Sequence, residues 1–220
     1  MIKVPRSLPD VPVPEGDTQH RILDAAHRVF MRSGTAGARM QEIAREAGVN
    51  PALLHYYFRS KARLSEAVFL RAAGQLFPAI LAILNSDQSV SAKVEQVVEK
   101  ELSKLSETPY LPAYILSELA HDPNRMRQLL TVVTGQHPSK AGQRLLSGLD
   151  SQLKAEARAG RLRPIAAEQF IVNLLSLCIF PFAARPMLTA LFGLNDDSFS
   201  AFIAERRRSL PSFFLRALQP

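Results

Sequence analysis

Residues 42–61 read EIAREAGVNPALLHYYFRSK. A short apolar pattern ends at Gly48, an Asn-Pro pair restarts the chain, and aromatic and basic side chains follow at once. Ile43, Ala44 and Ala47 recur at helical spacing, so a short helix over 40–47 turns them inward. Gly48 is a C-terminal stop, Asn50 a good N-cap and Pro51 a good first helical residue, so a second short helix runs from there to Phe58. Two short helices across a tight turn have the layout of a helix-turn-helix. In that motif the second helix enters the major groove of DNA and its first residues reach base edges.

The periodicity of the second helix separates two faces. Leu54, Tyr57 and Phe58 lie at i, i+3 and i+4 and are expected to pack inward against Ile43, Ala44 and Val49. Pro51, Ala52, His55 and Tyr56 fall on the opposite side, with Leu53 at its edge. Ala52 lets the backbone approach closely and offers a methyl to a thymine methyl. His55 and Tyr56 carry groups that hydrogen-bond phosphates or bases. Lys61 stands near the N-terminus of the next helix, capped by Ser60, where free N–H groups also favour a phosphate.

Working outward, Ile22, Ala25, Ala26, Val29 and Phe30 mark one face of a helix over 18–33, stopped at Gly34. The helix that Ser60 caps carries Leu64, Ala67, Val68 and Leu70 and is expected to reach about Asn85, bent near Pro78. Further helical patterns cover 89–106, 110–121, 123–134, 138–158, 166–192 (interrupted by Pro181 and Pro186) and 196–218. Helix formers abound in the 220 residues, Gly is sparse, and period-2 runs of Val, Ile and Thr are nearly absent. The fold class is therefore all-α: a flexible arm over 1–16, with four prolines and no helical period, a three-helix helix-turn-helix domain over 17–64, and a helical bundle over 65–220.

Charge supports the same division. The net charge is +7. Between Thr18 and Arg63 eight Lys/Arg face three acids, so +5 of it lies in that stretch, which points to a polyanionic partner. The one cysteine, Cys178, forms no internal disulfide and fits a reducing compartment. The N-terminus has no apolar signal region, and Phe170–Ala184 is too short for a bilayer span of roughly 20 residues, so a cytoplasmic location without a membrane partner is expected. Enzyme chemistry is not expected, because no Gly-rich phosphate loop, nucleophile elbow or motif-placed carboxylate pair is present. Among the five histidines none pairs with another at i, i+3 or i+4, so neither a metal nor a cofactor is expected.

Residues 18–64 resemble the DNA-binding domain of the tetracycline-repressor (TetR) family of bacterial regulators. Ile43-Ala44, Ala47-Gly48-Val49, Leu54, Tyr56-Tyr57-Phe58 and Ser60-Lys61 with Leu64 carry the resemblance, as does RILDAAHRVFMRSG upstream. It implies that Lys61 and Tyr56 contact DNA phosphates and that Pro51, Ala52 and His55, with Asn50 and Leu53 beside them, line the recognition face. Two departures stand out. The family usually has tyrosine in place of His55, and a threonine cap where this chain has Arg39, which is unable to cap an N-terminus. Arg39, with Gln41 beside it, is instead suited to a phosphate.

For residues 65–220 the resemblance implies a ligand-binding and dimerisation domain, and hence a homodimer on a double-stranded DNA operator, released by an unidentified small-molecule effector. Helices over about 166–192 and 196–218 are the expected dimer seam, the first apolar nearly all round and so covered on most sides. Arg206-Arg207-Arg208 reads as a solvated turn. Phe69, Phe77, Tyr110, Tyr114, Met126 and Phe180 line an effector pocket or belong to plain core. The competing reading is a helical small-molecule-binding protein or enzyme that keeps an unused helix-turn-helix. Salt-dependent duplex binding separates the two.

Overall fold

The computed structural model describes residues 15–75, 77–135 and 137–220. The described residues form helices without strands and divide into two compact units between Val68 and Phe69, slightly beyond the expected boundary at Leu64. The expected arm over 1–16 lies outside the described residues up to position 14, and Glu15 opens the first helix.

In the first unit, α1 spans Glu15–Gly37, α2 Met40–Ala47 and α3 Pro51–Phe58, and α4 begins at Lys61. Gly34, at φ 66° and ψ 161°, breaks the helical path of α1 at the expected stop. Ile22, Ala25, Ala26, Val29 and Phe30 are all buried, and α1 packs on α2, which packs on α3. Leu54 and Phe58 of α3 and Leu64 of α4 complete this core. Tyr57 departs from expectation. It is only half-buried, its ring edge-on to Tyr56 at 5.5 Å. A phenol keeps its polar tip in water while its ring covers apolar surface.

In the second unit α5 spans Phe77–Leu84, α6 Val90–Glu107, α7 Leu111–His121, α8 Asn124–Thr134, α9 Pro138–Arg158, α10 Ala167–Ala183, α11 Arg185–Phe192 and α12 Asp196–Ala217. Of the helix expected to reach about Asn85, α4 runs to Gly74 and α5 starts at Phe77, with position 76 outside the described residues and Pro78 at the start of α5. Central α6 buries Val94, Val97, Val98, Leu102 and Leu105 and packs against α5, α10 and α12. Buried Lys93 donates to the Leu84 carbonyl at the end of α5 (2.9 Å) and to Gln152 Oε1 on α9 (2.7 Å).

Prolines were expected to interrupt the helix over 166–192, and only one break occurs. Pro181 lies buried inside α10; the chain turns at Ala184, and Pro186 sits in the first turn of α11. A proline within a helix deprives the carbonyl four residues back of its donor, here that of Leu177. Arg206 on α12 replaces it, donating Nε–H to the Leu177 oxygen at 2.9 Å. Arg206 is therefore half-buried and structural, and only Arg207 and Arg208 of the expected solvated turn are exposed.

The apolar character of α10 is also distributed differently. Phe170, Leu174, Cys178 and Phe182 are buried, but Val172 and Phe180 are more than half exposed (57% and 53%), so one side is uncovered within the chain. By length and composition Lys61–Leu84 is apolar enough to cross a bilayer, as are α10 and α11 together despite a 69° bend. The packing of α10 on α6 and α7 accounts for its buried apolar side. Burial pushes the Cys178 thiol up to about 12, which keeps it protonated and unreactive near neutral pH.

Glu101 is buried on α6, and desolvation raises its carboxyl from an ordinary 4.5 to about 7. Between those values the unfolded chain ionises while the folded chain keeps its proton, so stability falls as pH rises through this window and levels off above it. Glu101→Gln is expected to flatten that slope and to stabilise the protein at pH 8 by about 1–3 kcal/mol, read from urea unfolding at pH 5 and 8. Arg206→Met is expected to cost about 1–3 kcal/mol by orphaning the Leu177 carbonyl. Adding Pro181→Ala, which restores the helical N–H donor, is expected to recover part of that loss in the same assay.

Candidate nucleic-acid interface

The helix-turn-helix is built by backbone chemistry around Gly48. At φ 65° and ψ 35° this residue is left-handed, a conformation that glycine adopts without a Cβ penalty. Its N–H reaches the Arg45 carbonyl (3.2 Å), and the Val49 N–H reaches that of Ala44 (3.0 Å), which closes α2 with a Schellman motif. Arg21 of α1 adds a clamp, donating from Nη2 to the Ala47 carbonyl at 2.9 Å. A Cβ at Gly48 would stand 3.3 Å from that nitrogen. The chain then enters α3 through Asn50, whose Oδ1 accepts from the Ala52 N–H at 2.8 Å with Pro51 in the first turn. At the N-terminus of α2, Arg39 makes no capping bond.

The far end of α3 is sharper. Arg59 has φ 55°, the one positive φ outside glycine among the described residues. Its N–H bonds the His55 carbonyl at 2.9 Å, and the next N–H, of Ser60, turns back to the Phe58 carbonyl. Such a conformation stores about 1–3 kcal/mol of strain and persists where surrounding packing imposes it, here by burial of Phe58 and Leu64 on either side. Ser60 Oγ then accepts from the Arg63 N–H at 3.3 Å, so α4 receives its expected cap.

This frame leaves Asn50, Pro51, Ala52, Leu53, His55 and Tyr56 exposed on α3 and its cap, with Leu54 and Phe58 buried behind them. Tyr56 is 72% exposed. His55 places Nδ1 3.4 Å from the Arg59 carbonyl, which leaves Nε2 for another partner. Asn50 has spent its side-chain oxygen on the cap and retains its amide donors. Arg39 and Gln41 are exposed at the start of α2. Lys61 is half-buried: Nζ donates to the carbonyls of Ala36 (2.9 Å) and Ala38 (3.1 Å), which leaves one of its three N–H donors.

The local charge excess resolves into two groups. Glu46 takes bonds from Arg28 (2.9 Å) and Arg32 (3.1 Å), and Arg32 also reaches Glu42 (3.4 Å). The guanidinium of Arg28, then that of Arg32, holds the Glu46 carboxyl below its ordinary value. Among the described residues Arg39, Arg45, Arg59 and Arg63 enter no ion pair, and all four are exposed at helix ends. Of these, Arg45, Arg59 and Arg63 were visible in the sequence only as part of the charge excess. Arg21 is the residue whose role sequence reasoning missed, because its partner carbonyl lies 26 positions away.

The profile of bacterial regulatory proteins of the tetR family matches residues 22–68, which spans α2, α3 and the turn just described. The helix-turn-helix of the first unit is thus similar to the DNA-binding domain of the tetR family. Over 77 residues it is 38% identical to the HTH-type transcriptional regulator BetI of Rhizobium meliloti, a match covering 35% of this chain and 38% of that protein. The matched part is thus well under two thirds of the relative's length. A tetR-family protein of Rhodococcus RHA1 has a similar fold, with a TM-score of 0.67 at 18% identity, over 94% of this chain and 98% of that one. So does FadR of Bacillus subtilis in complex with stearoyl-CoA, with a TM-score of 0.57 at 17% identity, over 89% and 97%. At these identities the solved structures establish the fold alone, and for both of them the likeness extends across the helical second unit as well.

Because the Asn50 side chain caps α3, Asn50→Ala is expected to lower the stability of the protein by about 1 kcal/mol, measured by thermal unfolding. Asn50→Asp, which keeps the accepting oxygen, is expected to remain within a few tenths of the parent.

Proposed function

We propose that this protein is a DNA-binding transcriptional regulator of the TetR family, a repressor that sits as a homodimer on a pseudo-palindromic operator and is released by a small molecule. The observation that carries the reading is α3: one face locked into a core, the other exposing Ala52, His55 and Tyr56. A helix so anchored fits the major groove without rearrangement. Ala52 and Leu53 make close apolar contact with base edges, and His55 and Tyr56 donate to phosphates or bases. Arg39, Arg45, Arg59 and Arg63 are unpaired cations that replace phosphate counterions, with Gln41 and the amide of Asn50 as further donors. Lys61 has two roles in this reading. Two of its N–H groups hold the end of α1, and the third meets a phosphate.

Support for a homodimer comes from apolar surface that the chain leaves uncovered. Phe180 on α10, Met187, Leu191 and Phe192 on α11, and Phe202 and Phe213 on α12 are all exposed. Isologous pairing of these helices covers that surface twice with one interface. Half-sites about one helical turn apart, or somewhat more, follow from a twofold pair of recognition helices. Effector release requires a ligand in the second unit that favours the state with lower DNA affinity, by about 1–3 kcal/mol for coupling of ordinary size. FadR of Bacillus subtilis, similar in fold, is solved in complex with stearoyl-CoA, which gives precedent for a small-molecule ligand on such a fold.

Duplex fragments from upstream of the protein's own gene, titrated across a salt series, test the reading. Specific binding is expected, with log affinity falling linearly against log salt by about 0.9 for each phosphate neutralised. Arg39→Gln is expected to reduce that slope by about one while leaving sequence preference unchanged. Tyr56→Phe is expected to weaken binding about tenfold with an unchanged Tm. Affinity no greater than that for random duplex, after selection from genomic fragments, would sink the reading.

A further inference from the structure

A cleft of about 240 Å³ lies in the second unit between the end of α6, the end of α10 and the first half of α12. Its floor is apolar: Phe182, Phe199 and Ile203 are buried there, the two rings edge-to-face at 5.9 Å. Its charged lining consists of Arg185 and Arg207, and no carboxylate lines it among the described residues.

Both arginines are held loosely by acids outside the lining. Arg185 meets Asp196 Oδ1 at 2.8 Å, but the Asp196 side chain is 95% exposed. Its guanidinium lies over the Phe199 ring, 4.6 Å from the centroid. Stacking fixes the plane of the fork and leaves its edge N–H groups directed away from the ring. Arg207 stands 3.5 Å from Glu99, with both side chains largely in solvent. Ion pairs so exposed contribute little and are readily exchanged for another anion. The hydroxyls of Ser106 and Ser200 already donate to the carbonyls of Leu102 and Asp196, so the donors left for a ligand are those of the two guanidinium groups.

We propose that this cleft binds a small organic carboxylate with an apolar body, its carboxylate taken by Arg185 and Arg207 and its body laid on Phe182, Phe199 and Ile203. The geometry favours a carboxylate over a neutral ligand because a planar fork pairs with two oxygens at once. It favours a small molecule because the volume falls below the roughly 300 Å³ at which pockets for drug-sized ligands begin. Direct binding tests the site whether or not the protein regulates transcription.

Octanoate, octanamide and octylammonium, each below its micelle-forming concentration, are titrated into the full chain by calorimetry. Octanoate is expected to bind, with octanamide at least about tenfold weaker and octylammonium undetectable, the charge-assisted bonds being lost. Arg207→Gln, at an exposed site, is expected to weaken octanoate by about tenfold with an unchanged Tm. Glu99→Gln, which removes the competing acid, is expected to tighten it, an effect that a merely structural role for Arg207 does not produce. Ala204→Phe, filling the cleft from an exposed position of α12, is expected to abolish binding. Equal affinity for octanoate and octanamide, unaltered affinity in Arg207→Gln, or no octanoate binding would overturn the proposal.

Discussion

The left-handed turn at Gly48 is the constraint on which the first unit depends. It closes α2, brings the Ala47 carbonyl to Arg21, and hands the chain to Asn50 in the extended conformation that an N-cap needs. With the turn set, α3 has one orientation that buries Leu54 and Phe58, and the same orientation exposes Ala52, His55 and Tyr56. A Cβ at Gly48 would meet both a backbone penalty and the Arg21 guanidinium. The apolar core and the exposed face of α3 are thus consequences of one local conformation, not separate features.

The cations of this chain illustrate how little formal charge says about role. Arg21, Lys61 and Arg206 all donate to backbone carbonyls at 2.9 Å that would otherwise lack a helical partner. Each acts as a remote cap for a helix end or a proline gap, where a charge-assisted bond is stronger than a neutral one. Arg28 and Arg32 neutralise Glu42 and Glu46 and so leave the field to Arg39, Arg45, Arg59 and Arg63. Fewer cations are therefore left without an acidic partner than the composition suggests, but these stand at helix ends, where at the N-terminal ones backbone N–H groups add to the attraction for an anion.

In the second unit the polar interior is used in two ways. Lys93 is satisfied by a carbonyl and an amide and ties α5 to α9 through α6. Glu101, on the same helix, is buried without a hydrogen bond or ion pair among the described residues and carries the desolvation cost as a raised carboxyl value. That contrast follows from the register of α6: positions 93 and 101 both fall within its buried stripe, but only the first has acceptors within reach.

Elements with local causes were legible in the sequence. The limits of α2 and α3, the caps at Asn50 and Ser60, and the stops at Gly34 and Gly48 rest on signals within four residues of each other, so periodicity and capping chemistry suffice. The exposed face of α3 followed from the same spacing. What required the folded chain was pairing across distance: Arg21 with Ala47, Lys61 with Ala36 and Ala38, and Arg206 with Leu177 lie 23 to 29 positions apart. Tyr57 stayed half in water and α10 buried only one side, because burial depends on which neighbours arrive and not on the apolarity of the residue itself. The sequence by itself therefore determined the helices and the turn between them. The tertiary structure decided which basic side chains serve the fold and which remain for a partner, because a hydrogen bond exists only where two distant groups are brought within 3 Å or so of each other.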